Sequence, residues 1–301
     1  MLALASPASL KGVLSAGEAA AALARGFRRA GADADELPLA DGGEGTAAVL
    51  GADVVRWERV HDAFGSEREA PIRALPDGTV VVESAEAIPL DPSRLDVRAA
   101  SSRGLGELLA RVGPCPRVIV CLGGTATMDA GEGLLAALDE LPAPTTVLCD
   151  THATLGQAPR LFGPQKGALA DDVAELERRF ADHLQSFAKL PGAGAAGGLG
   201  AALASLGAEL VPGAAYVLEA IGFRESAERA DLVVTGEGTV DRTTFEGKAP
   251  GEAVRACKEL GVRCVLFGGR VDEGCEATAL SGDPARARED LEDLGFALGG
   301  A

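Results

Sequence analysis

The 301-residue sequence is poor in aromatics, with one Trp, one Tyr and nine Phe. Its core is therefore expected to be Leu, Val and Ala. Histidine is also scarce, and His61, His152 and His183 are too scattered for a zinc motif. None of the six cysteines has C-x-x-C spacing, which removes the common zinc and redox motifs. Cys121, Cys149 and Cys264 lie in apolar, strand-like runs and read as buried thiols of a reducing cytosol. Basic residues are outnumbered 28 to 45, a net charge of −17. That disfavours nucleic acid as a partner, because such binding needs a basic face. No apolar run approaches a membrane span. Met1 to Leu10 has no basic segment of the secretory kind, so a cytoplasmic protein is expected.

Glycine is abundant, 40 residues, and clustered. Between the clusters, strand-like runs at Val80–Glu83, Arg117–Leu122, Thr146–Cys149, Leu232–Thr235 and Arg263–Phe267 alternate with helical patterns. Short, partly β-branched runs of this kind read as buried parallel strands. Ser15 with Glu18 forms a capping box that opens a helix from Ala16 to Ala30, closed by Gly31. Val173, Leu176, Phe180, Leu184 and Phe187 fall on one face of a helix expected over 171–190, a stripe read as core. Lys248 to Leu260 is a further helix, closed by Gly261. Alternating strands and helices imply α/β layers.

Five clusters carry chemistry. Asp41 and Glu44 stand among glycines, where acids can hold Mg²⁺ or accept a proton; the bland alternative is an acidic turn capping a helix from Thr46. Gly123-Gly124-Thr125-Ala126-Thr127-Met128-Asp129 follows a strand and opens a helix, where N–H groups and hydroxyls can cradle an anion; a plain tight turn is the alternative. Lys166 lies in a Gly/Pro turn, as a phosphate or carboxylate contact or a solvated loop residue. Pro191 to Gly200, with Gly194 and Gly197, is a phosphate nest or a site of close helix packing. Thr235-Gly236-Glu237-Gly238, with Asp241 and Lys248 downstream, again follows a strand, and open α/β sheets bind ligands beyond the carboxyl ends of their strands.

Taken in order, these motifs resemble the bacterial glycerate kinase family, of the type represented by the glycerate 2-kinases. Ser9-Leu10-Lys11-Gly12 matches its Ser-Phe-Lys-Gly-like segment, and Asp41–Thr46 is its D-G-G-E-G-T box. Gly123–Asp129 looks like its G-G-S/T-A-T-N-D box, while Phe162–Gly167 and Pro191–Gly200 are identical to its F-G-P-Q-K-G and P-G-A-G-A-A-G-G-L-G boxes. Thr235–Gly238, Asp241 and Gly247–Pro250 match T-G-E-G, the downstream Asp and G-K-A-P. The resemblance implies an ATP- and Mg²⁺-dependent enzyme that phosphorylates a hydroxyl of D-glycerate. It also implies a two-domain α/β fold with the site in the cleft: a flavodoxin-like doubly wound domain plus a restriction-enzyme-like domain built from both chain ends. The expected division is residues 1–55 with 230–301, and 56–229. Lys11 and Lys248 would face anions; Asp41, Glu44 and Glu237 would hold Mg²⁺ or take the proton; Asp129 and Asp150 are the other base candidates. Gly123, Gly124, Thr125, Lys166, Gly194, Gly197 and Gly236 would line ATP. Ala8 and Met128 replace an Asp and the Asn of the T-N-D box, Cys149–Leu155 keeps one acid of D-V-D-N-P-L, Asp62–Ser66 lacks the Arg of D-P-L-G-R, and 138–145 is shortened. These departures leave two alternatives open, a kinase for another small hydroxy acid and a catalytically impaired descendant that binds without turnover. The oligomeric state is open as well.

Overall fold

The computed structural model describes residues 1–300. The chain forms two compact units, one of Met1–Asp41 with Ala214–Ala301, the other of Gly42–Gly213. The division falls at 41/42 and 213/214, not at 55/56 and 229/230. Side chains explain both shifts. The buried Glu83 carboxylate accepts the N–H groups of Gly45 and Ala47, at 3.0 and 2.6 Å, and so ties the start of that stretch to the second unit. Ala214, Leu218, Phe223 and Ala227 join Leu4, Val233 and Ala253 in the core of the first.

In the first unit, β1 (Leu2–Ala5), β2 (Asp33–Glu36), β9 (Leu232–Val240), β10 (Cys264–Val271) and β11 (Thr278–Ala279) form a wholly parallel sheet in the order β11-β10-β9-β1-β2. Alternation along β1 feeds two cores. Ala3 and Ala5 pack with Leu23, Phe27 and Leu291 on one face, and Leu4 packs with Phe223 and Ala253 on the other. Helices thus cover both faces, and numbered by position in this sheet the strand order is 2-1-3-4-5, the flavodoxin-like order. The doubly wound sheet therefore lies in the unit built from both chain ends, where a restriction-enzyme-like domain was expected. The helix Ala16–Arg29 opens on the anticipated capping box, Ser15 with Glu18.

The second unit holds a six-stranded sheet, in sequence order throughout: β3 (Asp53–His61), β4 (Glu67–Ala74), β5 (Val80–Glu83), β6 (Val118–Leu122), β7 (Thr145–Cys149) and β8 (Glu209–Pro212). Its β5–β8 part is parallel and its β3–β4–β5 part antiparallel. β5, β6 and β7 are buried along their whole length, which is why they read as apolar runs. The helix expected over 171–190 spans only Ala170–Asp182. His183 is extended and Leu184 left-handed at φ 47°, so the helix cannot continue, yet Leu184 and Phe187 still pack on the same core as Phe180.

Candidate active site

In the first unit the strand order reverses between β1 and β9. That switch point is where doubly wound sheets open a crevice for ligands. Beyond β1 the chain stays beside β9, with Ser6 N–H donating to Val234 O at 2.8 Å and Ala8 N–H to Gly236 O at 2.9 Å. It then turns tightly between Leu10 and Leu14, leaving Lys11 exposed on the turn. A Cβ on Gly238 would come 3.7 Å from the backbone nitrogen of Lys11, so the two glycine-bearing segments run side by side. Gly236 has a packing reason: a Cβ there would lie 2.2 Å from Phe267 O on the next strand.

Glu237 is the acid at this point. Its carboxylate accepts the Thr244 hydroxyl at 2.7 Å and pairs with Lys248 Nζ at 3.4 Å. Burial raises its pKa, with the Asp41 charge adding to the rise; Lys248 and the Thr244 hydrogen bond oppose it. Three of the anticipated residues, Asp41, Glu237 and Lys248, thus act on one another electrostatically within one unit. Thr235, next to Gly236 within β9, has a buried hydroxyl without a hydrogen-bond partner.

In the second unit the carboxyl ends of β6 and β7 bring Gly123 against Asp150. A Cβ on Gly123 would meet Asp150 Oδ2 at 2.8 Å and Gly43 Cα at 2.9 Å. Glu44 lies beside Gly124, its Oε2 3.4 Å from where a Cβ would stand. Next to Asp150 a cavity of about 390 Å³ opens, lined by Cys149, Thr151, His152, Pro191, Leu210 and Val211. Its size is that of a small-molecule pocket, roughly 300–1,000 Å³.

Several sequence expectations change here. Most N–H groups of the 123–134 loop are already committed: Gly123 donates to Ser84 Oγ, Ala126 to Ile88 O, Ala130 to Gly197 O, and Leu134 to Ser102 Oγ. These bonds fix the loop to the rest of the unit, and Thr125 and Thr127 are buried. Asp129 accepts Ser102 N–H and Oγ–H, Gly131 N–H and Gly133 N–H at 2.7–3.1 Å. Four donors on one buried carboxylate make it a clamp of this loop. Gly194 and Gly197 are sites of close packing: a Cβ on Gly194 would stand 2.4 Å from Thr154 O, and one on Gly197 only 1.9 Å from Thr127 O. The turn before Thr46 has no side-chain cap of its own; Glu83 supplies the acceptors. Glu83 escaped the sequence reading, although an acid closing the apolar run Val80–Val82 was a signal.

Lys166 is neither solvated nor at an open site. It is 4 % exposed, and its Nζ donates to Thr127 O at 2.8 Å and reaches Thr125 Oγ1 at 3.4 Å. It supports the 123–129 loop from beneath. Burial lowers its pKa to about 8, against the pull of Asp150 and Asp129. From about pH 8 to the ordinary lysine value of 10.5, the unfolded chain holds a proton that the fold has released. Stability contributed at this position therefore rises with pH across that window. Urea unfolding should show the wild type gaining about 3 kcal/mol on Lys166→Met between those limits. Parallel stability curves for the two proteins would mean the ammonium is hydrated.

A doubly wound sheet with acids and glycines gathered near its switch point is the layout in which α/β proteins bind ligands. The sequence profile of the Glycerate kinase family matches residues 3–141 and 142–285. The glycerate kinase of Bacillus subtilis (strain 168) is 35 % identical over 327 aligned residues, covering 90 % of this chain and 85 % of that one. The glycerate 2-kinase of Escherichia coli (strain K12) is 34 % identical, covering 81 % and 78 %. A crystal structure from Salmonella typhimurium LT2, designated glycerate kinase 2, superposes with a TM-score of 0.79 at 28 % identity, over 99 % of this chain and 97 % of that one. The chain belongs to the glycerate kinase family. Among the described residues no helix is long and apolar enough to cross a membrane.

Proposed function

We propose that this protein transfers the γ-phosphoryl group of ATP to a hydroxyl of D-glycerate, in the cytoplasm and with Mg²⁺. The observation that carries this reading is the half-buried Glu237–Lys248 pair, with the Asp41 charge acting on it, at the switch point of a doubly wound sheet. The relatives named as glycerate kinases support the substrate.

Among the described residues no three His, Cys, Asp or Glu side chains form a ready-made metal cage. Mg²⁺ needs none, since it commonly binds one or two carboxylates plus substrate phosphates and keeps its waters. Asp41 and Glu237 suit that role because their charges already oppose each other, and Glu44 is a third candidate. The metal would neutralise charge developing on the phosphates.

Lys248 and Lys11 are assigned to the anionic groups, phosphate or the glycerate carboxylate. Asp150 is assigned the acceptor proton: it directly follows β7, at the strand's carboxyl end, with its carboxylate against Gly123. Phosphoryl transfer is mostly positioning and charge neutralisation, so the clamps on the loops, Glu83, Asp129 and Lys166, serve the reaction by keeping it in register.

The test is direct. ADP should form from ATP only when D-glycerate and Mg²⁺ are both present, with the phosphoglycerate identified by NMR. ADP release that ignores glycerate would exclude this substrate, and a panel of small hydroxy acids would then decide the acceptor. Lys11→Ala should lower kcat/KM by about 10², the ~3 kcal/mol of a charged contact made in the transition state. A drop below about threefold would mark Lys11 as a surface residue only.

A further inference from the structure

The outermost strand of the second sheet, β3, pairs with β4 alone. It carries exposed apolar side chains in a row: Val54 is 43 % exposed, Val55 56 % and Trp57, the chain's one tryptophan, 59 %. Natural edge strands are usually short, covered or heavily charged, because an open edge templates pairing with another chain. This one is nine residues long; it carries four charges, and the helix Arg103–Ala110 covers only its His61 end.

Trp57 stands opposite Pro71 of β4. Proline has no N–H to give to a ladder, so this is a pair without mutual hydrogen bonds, and the Trp57 N–H and C=O point away from β4. His61, four residues on, agrees in parity: its N–H is taken by the Glu107 carboxylate at 3.1 Å, outside the ladder. The outward backbone groups of His61 are met by the helix Arg103–Ala110, and those of Trp57 and Arg59 are left for a partner strand.

The sequence of the strand is self-complementary about the same residue. With Trp57 facing its own copy in an antiparallel ladder, Arg56 falls opposite Glu58, and Val55 opposite Arg59. Opposite charges meet, and the two Trp57 rings meet with Val55 and Arg59 on the same face of the sheet. A shift of one residue would bring Glu58 opposite Trp57 and lose this match. We infer that β3 is an interaction edge for a second copy of this chain, joined antiparallel about a two-fold axis at Trp57. Arg56 and Glu58 now pair within one strand, at 2.8 Å, with Arg56 also donating to Arg111 O and the Arg111 guanidinium 3.9 Å from Glu58; across the axis each would exchange its partner within the strand for the copy's. With a net charge of −17, association needs such a local match to overcome general repulsion.

Sedimentation velocity on the wild type at micromolar concentration should show a dimer, and Trp57→Lys should raise its dissociation constant by about tenfold or more. Arg56→Glu should weaken the dimer, and the double exchange Arg56→Glu with Glu58→Arg should restore it. Circular dichroism checks that each variant is folded. Hydrogen exchange on the wild type gives a reading free of any variant: the Trp57 and Arg59 amides should be protected at high concentration and exchange on dilution. A wild-type monomer, a dimer indifferent to Trp57→Lys, a folded double exchange that stays monomeric, or protection independent of concentration would each overturn the inference.

Discussion

Glu237→Gln is expected to reduce kcat/KM by at least about 10² while leaving the protein as stable at pH 7 as the wild type, or more so. The two halves of this result have one cause. Burial holds the Glu237 pKa above the ordinary carboxylate value. As pH rises, the unfolded chain loses its proton at this position first, so ionising Glu237 in the fold costs stability through that interval and above it. Glutamine avoids the cost and still accepts the Thr244 hydroxyl, 2.7 Å away in the parent. What it cannot supply is the charge for the cation and for Lys248. The wild-type pH–rate profile should accordingly have its acidic limb above the usual carboxylate range. A variant that keeps full turnover would remove Glu237 from the mechanism; one that melts far below the parent would make the Glu237–Lys248 pair a structural contact.

The second large effect is on stability. Gly197→Ala is expected to cost about 4 kcal/mol, from ~1–2 kcal/mol for a left-handed alanine and ~1–3 kcal/mol for overpacking. Gly197 has φ 74°, and its new Cβ would stand 1.9 Å from Thr127 O. That carbonyl is the one Lys166 holds at 2.8 Å, so relieving the clash loosens the buried ammonium too. Gly207→Ala is the control, also left-handed at φ 94° but with nothing within 4 Å of the new methyl. It should cost only the backbone part, about 1–2 kcal/mol. Differential scanning calorimetry on both should show a melting temperature for Gly197→Ala lower by roughly 10 °C than the parent and well below that of Gly207→Ala. Equal losses would sink the close-packing argument.

These two residues also mark what the sequence makes legible. β5 was read at its observed limits and β6 and β7 nearly so, because buried parallel strands are continuous apolar runs; β9 and β10 run on past their expected ends at Thr235 and Phe267, to Val240 and Val271, through glycine-bearing stretches that no apolar run announced. β2, Asp33-Ala-Asp-Glu36, is charged at three of four positions, and only Ala34 is buried, so no periodicity announced it. β3 and β4 escaped for a related reason: their exposed, charged positions hide an antiparallel hairpin. Its turn is closed by Asp62, which accepts the N–H groups of Phe64 and Ser66 at 2.8 Å. At the site, Glu237 and Lys248 were found because acids and lysines beside glycine turns are chemically conspicuous. The clamping contacts of Asp129 and Lys166 were not legible because their partners, Ser102 and Thr127, lie far away in sequence and only folding brings them within reach.

The first unit has a consequence for how the protein is made. β1 pairs with β9 across more than 220 positions of chain, and Leu2 N–H donates to Asp231 at 2.8 Å. On a ribosome, residues 42–213 are complete and free to fold while the first 41 still lack the centre of their sheet. At roughly 5–20 residues per second, the remaining 214–301 stretch takes about 4–18 s to appear. During that interval β1 and the apolar face of its capped helix have only chaperones or each other for company. A nascent chain stalled before β9 should therefore expose the helix Ala16–Arg29 to protease while its later-synthesised second unit is already resistant, an inversion of the usual amino-to-carboxyl order of maturation.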